Sequence, residues 1–425
     1  DAAVPFITVP DEAPGVEGAN FTVNPLAVRY LESLKGRKLA VVAIAGLYRT
    51  GKSFLLNKLM GKGAGFTVGP TVKACTKGIW CVRAAVCLTL SCLSLDLHVL
   101  FLDTEGLGST IRGATYDCRI FALALLLSSF FIYNSVGVID GDAISRLSLV
   151  VNLTKHIHVR ASSASEDSGV EFQQFFPNLL WVVRDFGVRL ERNGVRMNSR
   201  EYLEDALKPE DGMSDATAQK NAVRHLLQNF FPNRDCVTMV RPVTDERLLN
   251  NMAQLPESEL RAEFRSQLEA LRKRVLSSVR PKMMFGQQVT GAMLAKLAQE
   301  YCNQDTPTIS SAWDRVAEQQ CSDAVEAAVA QYNAAMKEAT GGSRAGAGTD
   351  AGPRVAMDAS DLEHLHAVHS KAAVGLFLRD AVQDSDCFAG YEAEVGTRLQ
   401  DTYTKLCKAN QRASAHFCED LVQSV

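Results

Sequence analysis

An apolar run, Leu39–Ala45, breaks into Gly46-Leu47-Tyr48-Arg49-Thr50-Gly51-Lys52-Ser53 and continues as an apolar helical pattern beginning near Lys52. Few segments restrict a fold more. Backbone N–H groups converge well on a phosphate where a buried strand hands the chain, through a glycine-bounded loop, to a helix whose positive dipole end faces the anion. Gly, four residues, then Gly-Lys-Ser is that phosphate-binding loop. Lys52 is expected to reach the β- and γ-phosphates of a nucleotide, and the Ser53 hydroxyl to ligate Mg²⁺. The predicted contact set is Gly46, Tyr48, Arg49, Thr50, Gly51, Lys52, Ser53 and Phe54.

Two more buried runs end as this one does. Val99–Leu102 closes on Asp103, and Leu179–Val183 closes on Arg184 and Asp185. In open α/β sheets ligands sit at the carboxyl ends of the strands, so three runs ending in polar or Gly-rich residues predict one mostly parallel sheet with helices on both faces. The 425 residues exceed the roughly 250–300 at which a single core stops growing. After Pro281 strand-like runs cease, and helical spacing predicts helices over Ala292–Tyr301, Ile309–Met336, Asp361–Val382 and Tyr391–Leu421. Gly341, Gly342, Gly346, Gly348, Gly352 and Pro353 read as a linker. The expected organisation is an α/β P-loop domain over 1–285 and an all-α helical domain over 286–425.

Ile120–Ile139 is twenty residues without a charge, long enough to span a bilayer. Ser128, Ser129, Asn134 and Ser135 interrupt it, and its halves differ: Phe121–Leu127 suits a buried helix, Phe130–Tyr133 a buried strand. A core helix feeding a core strand is the better reading. A net charge of −3 gives no reason to expect nucleic acid or an anionic membrane as the main partner, and no nucleic-acid partner is expected. The eleven cysteines include no Cys-x-x-Cys pair, and Cys75, Cys81, Cys87 and Cys92 sit among apolar residues as small hydrophobes do. A reducing, cytoplasmic compartment is expected.

Asp103-Thr104-Glu105-Gly106 stands where nucleotide hydrolases place the Asp that holds Mg²⁺, and the Gly106 N–H is positioned to sense a γ-phosphate. Between the two loops lie Thr71 and Thr76. A switch hydroxyl completes the Mg²⁺ shell only when γ-phosphate is present, and Thr76 is favoured because Thr-Lys-Gly-Ile-Trp anchors it to a following strand. The guanine-reading Asn-Lys-x-Asp pattern is absent, and Asn57-Lys58 belongs to the helix after the loop. Arg184-Asp185 offers an alternative, because a carboxylate accepts both N1–H and the exocyclic amine of guanine but repels the N1 lone pair of adenine. His364, His366 and His369 have no completing ligand nearby and read as solvated or packing histidines.

Gly-Leu-Tyr-Arg-Thr-Gly-Lys-Ser (46–53), Thr-Lys-Gly-Ile-Trp (76–80), Asp-Thr-Glu-Gly-Leu-Gly (103–108) and Arg-Asp-Phe (184–186) together resemble the guanylate-binding proteins, dynamin-related large GTPases. The resemblance continues through Phe-Phe-Pro (230–232), Arg-Pro-Val (241–243) and the helices around Gln331-Tyr332 and Leu406–Gln411. It implies a G domain that binds GTP and GDP with Mg²⁺ and hydrolyses GTP, in some relatives on to GMP. It further implies homodimerisation through the G domains and movement of the helical domain. Arg49 would be an internal arginine finger, with Lys52, Thr76 and Glu105 in the catalytic network. Ser53, Thr76 and Asp103 would hold the metal, Gly106, Arg184 and Asp185 would complete nucleotide binding, and Arg241 would lie in the cap that meets a second G domain. Family roles include defence against microbes and membrane-associated assembly, so a membrane or microbial surface is an expected partner. Membrane association would then run through partners or a segment beyond Val425.

Two departures bear on rate and assembly. Many relatives carry Ser-His-Thr in the first switch, where the Ser helps position the attacking water; this chain has Ala74-Cys75-Thr76, and neither Ala nor a weak thiol replaces that hydroxyl well. At Thr244-Asp245-Glu246 relatives are usually basic. The rival readings are a GTP-gated assembly module with little hydrolysis, which Ala74 favours, and an atlastin-like membrane-remodelling GTPase, which requires membrane spans. Ala74→Ser should raise kcat and leave GTP affinity nearly unchanged, because the restored hydroxyl acts on the transition state. Steady-state turnover beside calorimetric binding checks it; unchanged turnover would mean that water is oriented by another route.

Overall fold

The computed structural model describes residues 3–9, 21–34, 37–61, 65–69, 76–84, 97–108, 114–147, 175–192, 194–212, 214–249, 252, 254–303, 308–340 and 356–423. Thr71, Ala74, Cys75, Cys87, Cys92 and the glycine-rich 341–353 stretch lie outside them. Two compact units divide the chain, Asp1–Ala312 and Trp313–Val425.

In the first unit the strands are β1 (Val4–Thr8), β2 (Thr22–Val23), β3 (Lys38–Gly46), β4 (Ile79–Ala84), β5 (Leu97–Thr104), β6 (Phe130–Val136), β7 (Asn178–Arg184), β8 (Glu191–Arg192), β9 (Val195–Arg196), β10 (Arg234–Thr238), β11 (Met283–Met284) and β12 (Gln287–Gln288). Its helices are α1 (Pro25–Glu32), α2 (Lys52–Leu59), α3 (Ala114–Leu127), α4 (Gly141–Arg146), α5 (Ser199–Ala206), α6 (Asp215–Phe230), α7 (Glu246–Leu249), α8 (Ala262–Ser278) and α9 (Gly291–Cys302). Among the described residues the main sheet has eight strands in the order β10-β7-β6-β3-β5-β4-β1-β2. The five from β10 to β5 run parallel. β4, β1 and β2 continue antiparallel at one edge.

The parallel strands are near-continuous apolar runs because both faces are covered. Ala40, Val42, Ile44, Phe101, Ile132 and Leu180 pack with Phe54, Leu55 and Leu59 of α2 and Phe264, Leu268 and Leu271 of α8. On the other face Phe121 of α3 meets Phe131 edge-on at 5.3 Å. The uncharged run is thus helix α3 leading into strand β6, and no helix of the described residues is long and apolar enough to cross a membrane. At the far edge, alternation turns the N–H and C=O of Cys236 away from β7. The Asp235 carboxylate accepts from the first at 2.8 Å, and Arg274 of α8 donates to the second at 3.3 Å.

α9, which helical spacing groups with the helices after it, lies in the first unit and packs on α1, α3 and β2. It approaches so closely that a Cβ on Gly291 would lie 2.0 Å from the Leu31 carbonyl oxygen. Just before α9, where the sequence pattern gives no strand, β11 and β12 form a hairpin turned by Phe285 (φ 47) and Gly286 (φ 78). Strands of two residues are too short for periodicity to register.

The second unit contains most of α10 (Ile309–Ala339) with α11 (Ala359–Asp380) and α12 (Phe388–Gln423). Tyr332, Met336, Leu362, Phe377, Val395 and Leu399 are buried in it. His366 is a packing residue, bonded to the Tyr332 hydroxyl at 2.8 Å and stacked on Tyr403 at 4.1 Å. Among the described residues no cluster of three or more His, Cys, Asp or Glu is arranged to hold a metal.

A buried lysine, Lys282, lies by the start of β3, its backbone N–H donating to the Leu39 carbonyl at 2.8 Å. Lys282 Nζ donates to the carbonyls of Ser128 (2.9 Å) and Phe175 (3.3 Å), and burial pushes its pKa from 10.5 down to about 7. Between those values the unfolded chain holds a proton that the folded one has lost, so this group's cost to stability is full below pH 7 and fades as pH rises. The slope is up to about 1.4 kcal/mol per pH unit. Lys282→Met should lack that slope. In urea unfolding at pH 7 and pH 9 the stability difference should move in favour of the native lysine at the higher pH, and a constant difference would show that the ammonium is not dehydrated.

Candidate functional site

Register carries the site residues to one edge of the sheet. β3 lies between β5 and β6, pairing Ile44 with Asp103 and Gly46 with Asn134, and β6 pairs Val136 with Arg184. Gly46 is required by close approach: a Cβ there would sit 2.1 Å from the Asn134 carbonyl oxygen. The loop is then tied internally, Thr50 Oγ1 donating to the Leu47 carbonyl at 2.8 Å and Lys52 Nζ to the same oxygen at 3.2 Å. Asn134 Nδ2 donates to the Thr50 carbonyl at 3.0 Å. Gly51 at φ 78 and Arg49 at φ 63 make the bends.

The 103–108 segment lies alongside. The N–H of Tyr48 donates to the Leu107 carbonyl at 2.9 Å, and that of Leu107 to the Gly46 carbonyl at 3.1 Å. A Cβ on Gly106 would lie 2.4 Å from Tyr48 Cα. Asp103 Oδ2 accepts two hydroxyls, Ser53 Oγ at 2.6 Å and Thr76 Oγ1 at 3.0 Å. Its other oxygen, Oδ1, is buried without a hydrogen-bond partner. An all-oxygen set of one carboxylate and two hydroxyls, with an orphaned oxygen, fits a hard cation such as Mg²⁺, which commonly binds one or two carboxylates together with substrate phosphates.

Burial disfavours both charges at this end. It pushes Lys52 below its ordinary value, against the pull of Asp103 and Glu105, and Asp103 above its own, against Lys52 and the two hydroxyls. Glu105 does not reach the cleft lining; its Oε2 accepts from the Gly78 N–H at 2.9 Å and the Tyr116 hydroxyl at 2.6 Å. The Glu105 N–H in turn donates to the Gly78 carbonyl at 2.8 Å.

A cleft of about 360 Å³ runs from Lys52 and Ser53 past Thr76, Gly106 and Arg49 to Asp185, and Val136, Pro242, Leu249 and Met252 add apolar lining. Arg49 donates to the Gly69 carbonyl at 3.0 Å, its guanidinium 5.8 Å from the Tyr48 ring centre. Asp185 takes φ 56 and is exposed to the cleft. Arg184 is buried, lies 5.8 Å from the Phe54 ring and 5.5 Å from Phe264, and keeps Nε and one terminal nitrogen without a hydrogen-bond partner. Arg241 pairs with Glu246 at 3.2 Å, and Asp245 with Arg247 at 2.9 Å.

The structure therefore brings together Gly46, Tyr48, Arg49, Thr50, Gly51, Lys52, Ser53, Phe54, Thr76, Asp103, Gly106, Arg184 and Asp185, with Glu105 one layer behind. Motif reading misses Asn134 and Tyr116. Asn134 left a signal, a polar residue inside an apolar run; nothing local marks Tyr116.

Comparison with known proteins agrees with this geometry. A family model described as the N-terminal domain of guanylate-binding protein matches residues 18–283, and one for the C-terminal domain matches 285–425. The chain is 35% identical over 413 residues to guanylate-binding protein 3 of Mus musculus, covering 94% of this chain and 62% of that protein. It is 35% identical over 418 residues to guanylate-binding protein 1 of Homo sapiens, covering 95% and 66%. The figures for guanylate-binding protein 2 of Homo sapiens are 34% over 416 residues, 95% and 66%. The chain thus spans 62–66% of the length of these curated relatives. Two consecutive domain models that together take in nearly every residue, matched by a phosphate loop, a metal-type carboxylate and an Arg-Asp strand end in one cleft, place the chain in the guanylate-binding protein family.

Proposed function

We propose that the chain binds GTP in this cleft with Mg²⁺ and hydrolyses it to GDP, assisted by G-domain dimerisation and coupled to movement of the helical domain. The observation that carries the reading is the convergence of Ser53 and Thr76 on one oxygen of Asp103 while the other stays unpartnered, beside a dehydrated Lys52. Such a constellation is short of charge on both sides, and a metal–triphosphate supplies both signs at once.

Ser53, Thr76 and Asp103 would hold the Mg²⁺, which supplies neutralisation of charge on the β- and γ-phosphates. Lys52 binds phosphate oxygens, the gain offsetting the burial that now depresses its pKa. The loop and Gly106 N–H groups orient the phosphates. Phosphoryl transfer leaves the protein little covalent chemistry, so positioning and charge stabilisation carry the rate. Arg49 is the group for that charge; to act it must leave the Gly69 carbonyl and be held near the γ-phosphate, a task suited to a second G domain docking near Arg241. Asp185 reads the base across its N1–H and amine edge, with Val136, Pro242, Leu249 and Met252 excluding water beside it.

Two outcomes are expected. GTP should bind tens-fold or more tightly than ATP, and Asp185→Asn should erode that preference, because a bidentate base contact is worth about 1–3 kcal/mol in discrimination. Calorimetry with both nucleotides decides, and equal affinities in the native chain would remove Asp185 from this role. Specific activity should also rise with protein concentration, and Arg49→Ala should abolish most of that rise while GTP binding survives through Lys52 and the backbone. Arginine fingers contribute roughly 10³–10⁵ in rate. A flat dilution series with efficient hydrolysis would show that Arg49 acts without a partner; GTP binding without turnover at any concentration would favour the assembly-module reading.

A further inference from the structure

We propose that Tyr116 is a positioning residue of this site: its phenol, carried on the first turn of α3, locks Glu105 against Gly78 and thereby sets the Thr76 hydroxyl on Asp103. The proposal rests on the hydrolysis reading for its effect on rate, but its geometry stands independently of that reading.

The chain of contacts is continuous. Tyr116 donates to Glu105 Oε2 at 2.6 Å, an ordinary length for a hydroxyl–carboxylate bond. The same oxygen accepts from Gly78 N–H, and the Glu105 N–H returns a bond to the Gly78 carbonyl. Glu105 therefore holds both the N–H and the C=O of one residue, Gly78. Two residues earlier, Thr76 donates to Asp103. The phenol has its own support: its ring stacks on Phe21 at 5.6 Å, and the Arg119 guanidinium lies 4.5 Å from the centre of the Phe21 ring. The next residue of α3 holds the other end of the segment, Asp117 Oδ2 accepting the Gly108 N–H at 2.6 Å. Adjacent side chains of one buried helix thus clamp Glu105–Gly108 at both ends, next to the switch threonine.

Tyr116 does not line the nucleotide cleft, so it acts through Glu105. Tyr116→Phe keeps the ring and its stacking on Phe21 and removes the hydroxyl that donates to Glu105. Because a bond to a charged group is among the stronger ones, kcat for GTP should fall about tenfold or more, with KM and GDP affinity within about twofold. The Gly78 amide should exchange with solvent faster than any fall in global stability, read from the melting temperature, accounts for. In a Glu105→Gln background the same substitution should cost markedly less, since the two groups act in series. Unchanged kcat, or an equal loss in both backgrounds, would overturn the assignment. If the native chain does not hydrolyse GTP at all, the hydrolysis reading fails instead, and amide exchange decides the clamp: unaltered protection of Gly78 in Tyr116→Phe would overturn it.

Discussion

Parallel hydrogen bonding of β3 between β5 and β6 underlies the placement of the site. It aligns Ile44 with Asp103 and Gly46 with Asn134, so three strand ends reach one edge at one height. Side-chain alternation sends successive residues to opposite faces, and a slip of one residue would reverse them all. Specific packing on both faces resists that slip, because every side chain would have to be refitted against a different layer of helices. The phosphate loop inherits its position from this register, and Gly46 permits the approach that the register demands.

Local costs concentrate where the strands end. Arg49 and Asp185 hold left-handed backbone conformations without being glycine, Asp103 and Arg184 keep buried polar atoms unpartnered, and Asn134 leaves Oδ1 without a bond. Such features persist only where surrounding structure over-determines them. Here the surroundings are a sheet core and two packed helices, α2 and α8, and of these residues Arg49, Arg184 and Asp185 line the cleft. A rigid scaffold holding unsatisfied groups is what charge-based positioning requires, since little reorganisation is left to the moment of reaction.

Much of this was legible in residue order. Long buried runs declare themselves, as with Leu39–Ala45 within β3 and Leu179–Val183 within β7, because both faces demand apolar side chains. Helical periodicity likewise locates α9 to α12 to within a few residues, as with Ile309–Met336 inside Ile309–Ala339. Phosphate-loop residues are legible because their spacing encodes geometry. What local pattern cannot carry is contact between distant segments. The edge strands β1 and β2 are short, and their partners lie far away in sequence. Tyr116 matters through a bond to Glu105, and Asn134 through one to Thr50 across 84 positions. The unit to which α9 belongs is also a tertiary matter, set by the surface of α1 rather than by its own sequence.

The side-chain caps at Cys236 have a consequence for how such molecules can meet. A sheet's outer strand ordinarily offers a ladder of free donors and acceptors on which another chain can build. Here the middle outward-facing rung is already taken by Asp235 and Arg274, and at the opposite margin the outermost strand is only two residues long and lies against α9. Neither margin offers a foreign strand a full template. Strand-by-strand, fibre-like stacking of such sheets therefore finds no full row of free backbone groups at either margin of the described strands.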